Sequence, residues 1–154
     1  MNNVIKWCLN EIHNYNNGNN ELKEGISVDI IERFERKYNI QLPSDYKFFL
    51  SIYNGGTLFY TGTSLASVYD EECGIEVRYG NYLHLNLKNK WPDMGDELLI
   101  IADLNFGDMI CLDMERNVIV QWDHEIGEEV YEWNSFSDWL RDELESGKEF
   151  INCE

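Results

Sequence analysis

The chain has 154 residues, 44% hydrophobic and 14% aromatic, with 12 basic against 29 acidic side chains and a formal net charge of −17. That length and composition predict one globular domain with a core of its own, and exclude a disordered chain or a mini-protein that depends on staples. The charge argues against DNA, RNA and anionic membrane surfaces, which need lysine and arginine, and favours a basic partner beside the plainer reading of solubility alone.

No apolar run reaches the roughly 20 residues that span a bilayer. Residues 1–10 have neither a basic n-region nor an apolar h-region, so no signal peptide is expected and the chain is placed in the cytosol. Val4, Ile5, Cys8, Leu9 and Ile12 recur at helical spacing and predict a first helix over about residues 2–15. Residues 14–20 form an Asn-rich loop. Ser27 is placed to cap a second helix with Val28, Ile31, Phe34 and Tyr38 among its apolar positions. Pro43 opens a third, because its fixed φ is helical and the N–H it lacks is not needed there. Ser44 and Asp45 suit the positive end of that helix. Tyr46, Phe49, Leu50 and Tyr53 make one apolar stripe, and Gly55-Gly56 can take the left-handed conformation that stops a helix.

After Gly56 the pattern turns strand-like. Residues 57–61 and 75–79 are β-prone, and residues 82–90 stay open between an alternating strand and a short helix before Trp91-Pro92. Residues 98–102 are a continuous apolar run, the mark of a strand covered on both faces. Residues 108–113 and 118–122 read as a hairpin joined at 114–117, entered through a tight turn at Gly107. Residues 129–133 are a further strand, with Tyr131 and Trp133 expected inside and Glu132 outside. Ser135 caps a last helix carrying Phe136, Trp139, Leu140 and Leu144 and ended by Gly147. Helices, a block of strands and a closing helix predict a single α+β domain over residues 1–154, an antiparallel-rich sheet with helices packed on it.

Asp103, Asp108, Asp113, Asp123, His124 and Glu125 are the most catalytic-looking group, since carboxylates with one histidine suit Mg²⁺, Mn²⁺ or zinc. On an extended strand, however, Asp108 and Asp113 point to opposite faces, as do Asp123 and His124 if their strand runs on. No Glu-x-x-His or His-x-x-x-His pair exists. The acids therefore read as structural or partner-facing, and no catalytic residue, metal or cofactor is assigned. His124 reads as a strand-end residue bonded to a carboxylate or backbone rather than a switch or general base, and His13 and His84 carry no role. Serine and cysteine lack a spaced histidine and carboxylate, and Asn54-Gly55-Gly56 is no phosphate loop. Cys8, Cys73, Cys111 and Cys153 fit no zinc pattern and are expected as free thiols, Cys8 and Cys111 in the core and Cys153 exposed.

The charge is uneven. Residues 113–145 carry eleven carboxylates against Arg116 and Arg141, nine net negative charges in about a fifth of the chain. Trp122, Tyr131 and Trp133 lie in the same segment, and aromatic anchors rimmed by carboxylates suit an interface with a basic protein.

Three motifs, in order, carry a resemblance. They are Ile40-Gln41-Leu42-Pro43-Ser44-Asp45-Tyr46-Lys47-Phe48-Phe49-Leu50-Ser51-Ile52-Tyr53-Asn54-Gly55-Gly56; Gly107-Asp108-Met109-Ile110-Cys111-Leu112-Asp113 with Val118-Ile119-Val120-Gln121-Trp122-Asp123-His124-Glu125; and Ser135-Phe136-Ser137-Asp138-Trp139-Leu140. Over about residues 27–145 the chain resembles the SUKH superfamily, which holds the yeast Smi/Knr cell-wall regulators and many bacterial immunity proteins. Size and style further resemble the YobK-like immunity proteins of Bacillus. The resemblance implies a Smi/Knr-like α+β fold and no enzyme. It implies an immunity protein that neutralises a cognate polymorphic toxin of the LXG type, with nuclease (RNase) activity, by covering its basic active site with an acidic face. On that reading Asp113, Glu115, Glu128, Glu129 and Glu132 are the partner-binding candidates. One alternative is a non-catalytic regulatory scaffold of the Smi/Knr kind, though those proteins carry long disordered flanks and this chain only a short Asn-rich loop. The other is a metal-dependent hydrolase using Asp103, Asp108 and His124.

Overall fold

In the computed structural model, which describes residues 2–14, 21–58, 61–69 and 80–152 (the last three by backbone alone), Asn2 opens the first helix. Its Oδ1 accepts the backbone N–H of Val4 at 2.7 Å and so satisfies an amide that has no partner within α1 (Asn3–Asn14). That helix buries Ile5, Cys8 and Ile12 on one face. Ser27 caps α2 (Val28–Tyr38) as its type predicts, accepting from the Ile30 amide at 3.3 Å, and Asn39 ends the helix in the left-handed conformation. Pro43 stands just outside α3 (Ser44–Ile52), which buries Tyr46, Phe49 and Leu50. The open segment after residue 80 settles as one helical turn, α4 (Leu83–Asn86). Ser135 Oγ accepts the Asp138 amide at 3.1 Å at the start of α5 (Phe136–Asn152).

Seven strands form one sheet among the described residues: β1 (Glu21–Glu24), β2 (Tyr53–Leu58), β3 (Thr63–Leu65), β4 (Leu98–Asp103), β5 (Met109–Asp113), β6 (Val118–Asp123) and β7 (Glu128–Trp133). Their order in the sheet is their order in the chain, and every neighbouring pair is antiparallel. The architecture is the expected α+β one. Residues 98–102 are buried throughout, and the β5–β6 hairpin turns at 114–117 as predicted.

Paired residues share a face, which divides the sheet. Ile110, Leu112 and Ile119 lie with Leu99 and Ile101 in the main core, under Ile5, Cys8, Ile31, Phe49, Leu50, Trp139 and Leu140 from the helices. Cys111, Val120 and Trp122 lie on the other face with Leu98, Ile100 and Met94 in a smaller core. The connection carrying Met94 is held by Lys90, whose Nζ donates to the carbonyls of Gly95 at 3.3 Å and Asp96 at 3.1 Å.

Four details differ from the sequence reading. The third helix stops at Ile52, Tyr53 is extended, and Asn54-Gly55-Gly56 belongs to β2 rather than to a helix stop. The glycines serve strand pairing: at Gly56 (φ 120°) an added Cβ would lie 2.1 Å from the Glu21 carbonyl oxygen of β1. Gly56→Ala is expected to cost about 1–3 kcal/mol from the backbone conformation alone, read as a lower denaturation midpoint, with local loosening of β1. Gly147 does not end α5, which runs on to Asn152. Beyond it Lys148 pairs with Glu11 of α1 at 2.6 Å and lies over the Trp7 ring, a tertiary contact that offsets part of the helix cost of about 1 kcal/mol for a glycine. The short strands β1 and β3 carry no hydrophobic alternation that would announce them. Val28, placed among the apolar positions of α2, is exposed. The β-prone run at 75–79, the loop at 15–20, residues 59 and 60, Cys73 and Cys153 lie outside the described residues.

Candidate functional site

The acidic segment folds into the β5–β6–β7 end of the sheet and the start of α5. Asp113 closes β5, and its Oδ1 accepts the backbone N–H groups of Glu115 at 3.0 Å and Arg116 at 2.9 Å, which builds the hairpin turn. Its Oδ2 accepts Arg116 Nε at 2.8 Å. The same guanidinium reaches across β6 to β7, donating to Glu132 at 2.6 Å and Glu129 at 3.1 Å. Geometry explains the reach: Glu132 pairs with Val120 and Glu129 with Trp122, and both belong to the face that carries Val118 and Asp113. Three carboxylates surround one cation, so the network stays net negative. Arg116 is the single arginine or lysine between Lys90 and Arg141. Its place three residues after Asp113 was the signal available for its organising role.

The five partner-binding candidates thus fall into different settings. Glu115, Glu128, Glu129 and Glu132 are exposed. Asp113 is buried and consumed by the turn and by Arg116, so it acts on the surface only through that guanidinium. Burial alone would raise the Asp113 pKa, but the hydrogen bonds from the Arg116 backbone and side chain and the Glu115 amide outweigh it and hold the carboxyl below its usual range. Its contribution to stability is therefore complete above the ordinary aspartate pKa of about 4 and is lost as pH falls through the lower folded value. Asp113→Asn is expected to lower stability at neutral pH by about 1–3 kcal/mol, because the amide can still accept the turn N–H groups through Oδ1 but sets a donor NH2 against Arg116 Nε where the carboxylate accepted. The variant should also lose less of its remaining stability on acidification below about pH 4, as followed by circular dichroism melts.

β7 departs from the expected orientation. Tyr131 does share a face with Trp133, the side that carries Ile119 and Gln121, but it is 63% exposed rather than inside. The helical layer covers this face only as far as Trp133, which is half-buried and donates its Nε1 to Asp142 of α5 at 2.8 Å. Tyr131 stacks obliquely beside Trp133, with ring centroids 6.3 Å apart, at the outer margin. Ile126 and Val130 are also exposed. Among the described residues β7 is the last strand, so nothing on that side continues the core.

The carboxylate–histidine group is partly assembled. Asp108, Asp123 and His124 bring one ligand atom each within 4.8 Å of the others. Asp123 and His124 converge because β6 ends at Asp123 and turns instead of running on. Asp108 Oδ1 accepts from the His124 amide at 3.3 Å and from His124 Nδ1 at 2.8 Å, and Oδ2 accepts from Gln121 at 2.9 Å. Burial pushes the Asp108 carboxyl up, but the Gln121 and His124 bonds outweigh it and hold it below the usual range. Asp123 Oδ1 accepts the amides of Glu125 and Ile126. These oxygens are spent on fastening the β6–β7 turn to the start of β5. A Cβ at Gly107 (φ 103°) would lie 2.8 Å from the His124 ring, so the glycine permits this latch. Asp103 stands apart: it pairs with Met109 and so faces away from Gln121, the residue that Asp108 holds. Burial raises the thiols of Cys8 and Cys111 to about 12, which leaves both as inert core groups.

No helix among the described residues is long and apolar enough to cross a membrane. Residues 25–142 match the family model described as SMI1 / KNR4 family (SUKH-1).

Proposed function

The chain belongs to the SMI1/KNR4 family (SUKH-1), and from that premise we propose that it is an immunity protein that binds and neutralises a cognate protein toxin in the cytoplasm. Membership is consistent with a role in a toxin–immunity system. The toxin proposed is a polymorphic one of the LXG type whose active domain is a nuclease, most simply an RNase. A nuclease gathers lysine and arginine around the phosphates it cleaves, so its active site presents a basic surface. An acidic face steers toward such a surface and competes with the nucleic acid for it.

The observation that carries this reading is the arrangement of exposed Glu115, Glu128, Glu129 and Glu132 at one end of the sheet, with a guanidinium holding two of them in fixed positions. Fixed carboxylates lose less conformational entropy on meeting a partner than free ones. No catalytic, metal or cofactor role is proposed for Asp103, Asp108 or His124.

The test is to search the genes beside this one for a polymorphic toxin and to co-express its toxin domain with this protein. Rescue of growth, with a complex that weakens as salt rises, is the expected result. Toxicity that persists with both proteins present and no complex on gel filtration would overturn the proposal. Recovery of a cell-wall or signalling protein by this bait from its own lysate would favour the regulatory scaffold instead.

A further inference from the structure

The backbone of β7 has one side that no described strand pairs. An unpaired edge is a template for another chain, and proteins blunt it with charges and bulges. β7 has both: Glu128, Glu129 and Glu132 line it, and its register with β6 shifts between Gln121 and Trp122. These devices disfavour pairing two copies of this edge, because carboxylates would face carboxylates. They do not disfavour a strand that bears lysine or arginine.

Protection also fails to account for the apolar groups at the same edge. Ile126 is 60% exposed, Val130 37% and Tyr131 63%. Val130 and Tyr131 belong to β7, Val130 at its register shift with β6, and Ile126 to the turn that leads into it. The two faces of the strand differ in chemistry. Tyr131 lies with Trp133 on one face, with Glu128 at its far end opposite Asp123, and Glu129 and Glu132 lie with Arg116 on the other.

We propose that the free edge of β7 pairs with an extended segment of a protein partner in which basic and apolar side chains alternate. The basic ones meet Glu129 and Glu132, where one guanidinium leaves three carboxylates under-neutralised, and the apolar ones pack beside Tyr131. Backbone hydrogen bonds along the edge supply affinity and the alternating faces supply selection. This rests on the reading of the protein as one that binds a basic partner, and it adds the mode of binding.

The probe is an eight-residue peptide of alternating lysine and valine, titrated into ¹⁵N-labelled protein and followed by amide chemical shifts. Shifts are expected at residues 128–133 and their β6 neighbours. The same peptide N-methylated at alternate backbone positions keeps its charge and should bind roughly tenfold or more weakly. Equal shifts from both peptides, shifts spread over the acidic surface, or none at β7 would overturn edge pairing. A toxin domain that binds while β7 amides exchange hydrogen as fast as in the free protein would also overturn it and leave the immunity reading standing. Failed rescue of growth removes that reading, while the peptide comparison still decides the edge.

Discussion

Leu50→Ala is expected to lower the stability of the fold by about 2–5 kcal/mol. Leu50 is fully buried in α3, at the centre of the core between the helices and the sheet. The site cannot collapse cheaply onto a cavity, because its surroundings are fixed by aromatic rings and by the backbone. Phe136 is wedged between Tyr46 and Phe49 at centroid distances of 4.7 and 5.3 Å. The Leu50 carbonyl accepts the Ile26 amide at 3.1 Å, tying the helix to the chain that leads out of β1. Asp45, one turn earlier, accepts both the amide and the hydroxyl of Ser137 at the start of α5. A helix pinned at both ends leaves the deleted volume empty, which is the costly case. For a chain of this size each kcal/mol moves the melting temperature by roughly 2–4 °C, so a clear drop is expected in a calorimetric scan. Leu50→Met, which keeps the volume, should cost under about 1.5 kcal/mol. A melting temperature for Leu50→Ala close to that of the parent would mean that the α3 stripe is not core.

Periodicity made the helices and the central strands legible, and it did so wherever burial was one-sided or complete. Ile5, Cys8 and Ile12 in α1 and residues 98–102 in β4 fall where their spacing puts them. The Ser27 and Ser135 caps were equally readable, because the chemistry that satisfies an orphan amide is local. What escaped depends on partners distant in sequence. Gly55 and Gly56 look like a helix stop, but β1 and β3 approach them on either side and turn them to a close strand crossing. Gly147 looks like another stop until Glu11 and Trp7 of α1 engage Lys148. Alternation placed Tyr131 on the correct face of β7. It could not say that the covering layer ends beside Trp133, since that is set by where α5 crosses the sheet. In the candidate site, the weight of negative charge was visible in composition. The division of labour was not: Asp113 builds a turn, Arg116 spans two strands, and the remaining glutamates face outward.

Reversing Glu128, Glu129 and Glu132 to lysine together is expected to weaken binding of a basic partner by at least roughly tenfold at low salt. Close charge pairs at such interfaces have coupling energies of about 1.5–7 kcal/mol, so even one lost pair at the low end suffices. The fold should survive. All three residues are exposed, and the pairs that Glu129 and Glu132 make with Arg116 are solvent-screened surface pairs that add little to stability. Arg116 would keep Asp113, whose buried carboxylate is the anchor of the hairpin turn. The matching triple change to glutamine separates two causes. If affinity depends on the field of the acidic end, glutamine should give an intermediate loss that rising salt erases, because screening removes the same term. If it depends on charges desolvated in contact, glutamine should already cause a large loss, lysine a larger one because it adds a like charge, and the loss should persist in salt, since an unmatched buried cation on the partner is not screened. Unchanged affinity in the lysine variant, with an unchanged melting temperature, would move the interface away from β7 and onto another surface of the protein.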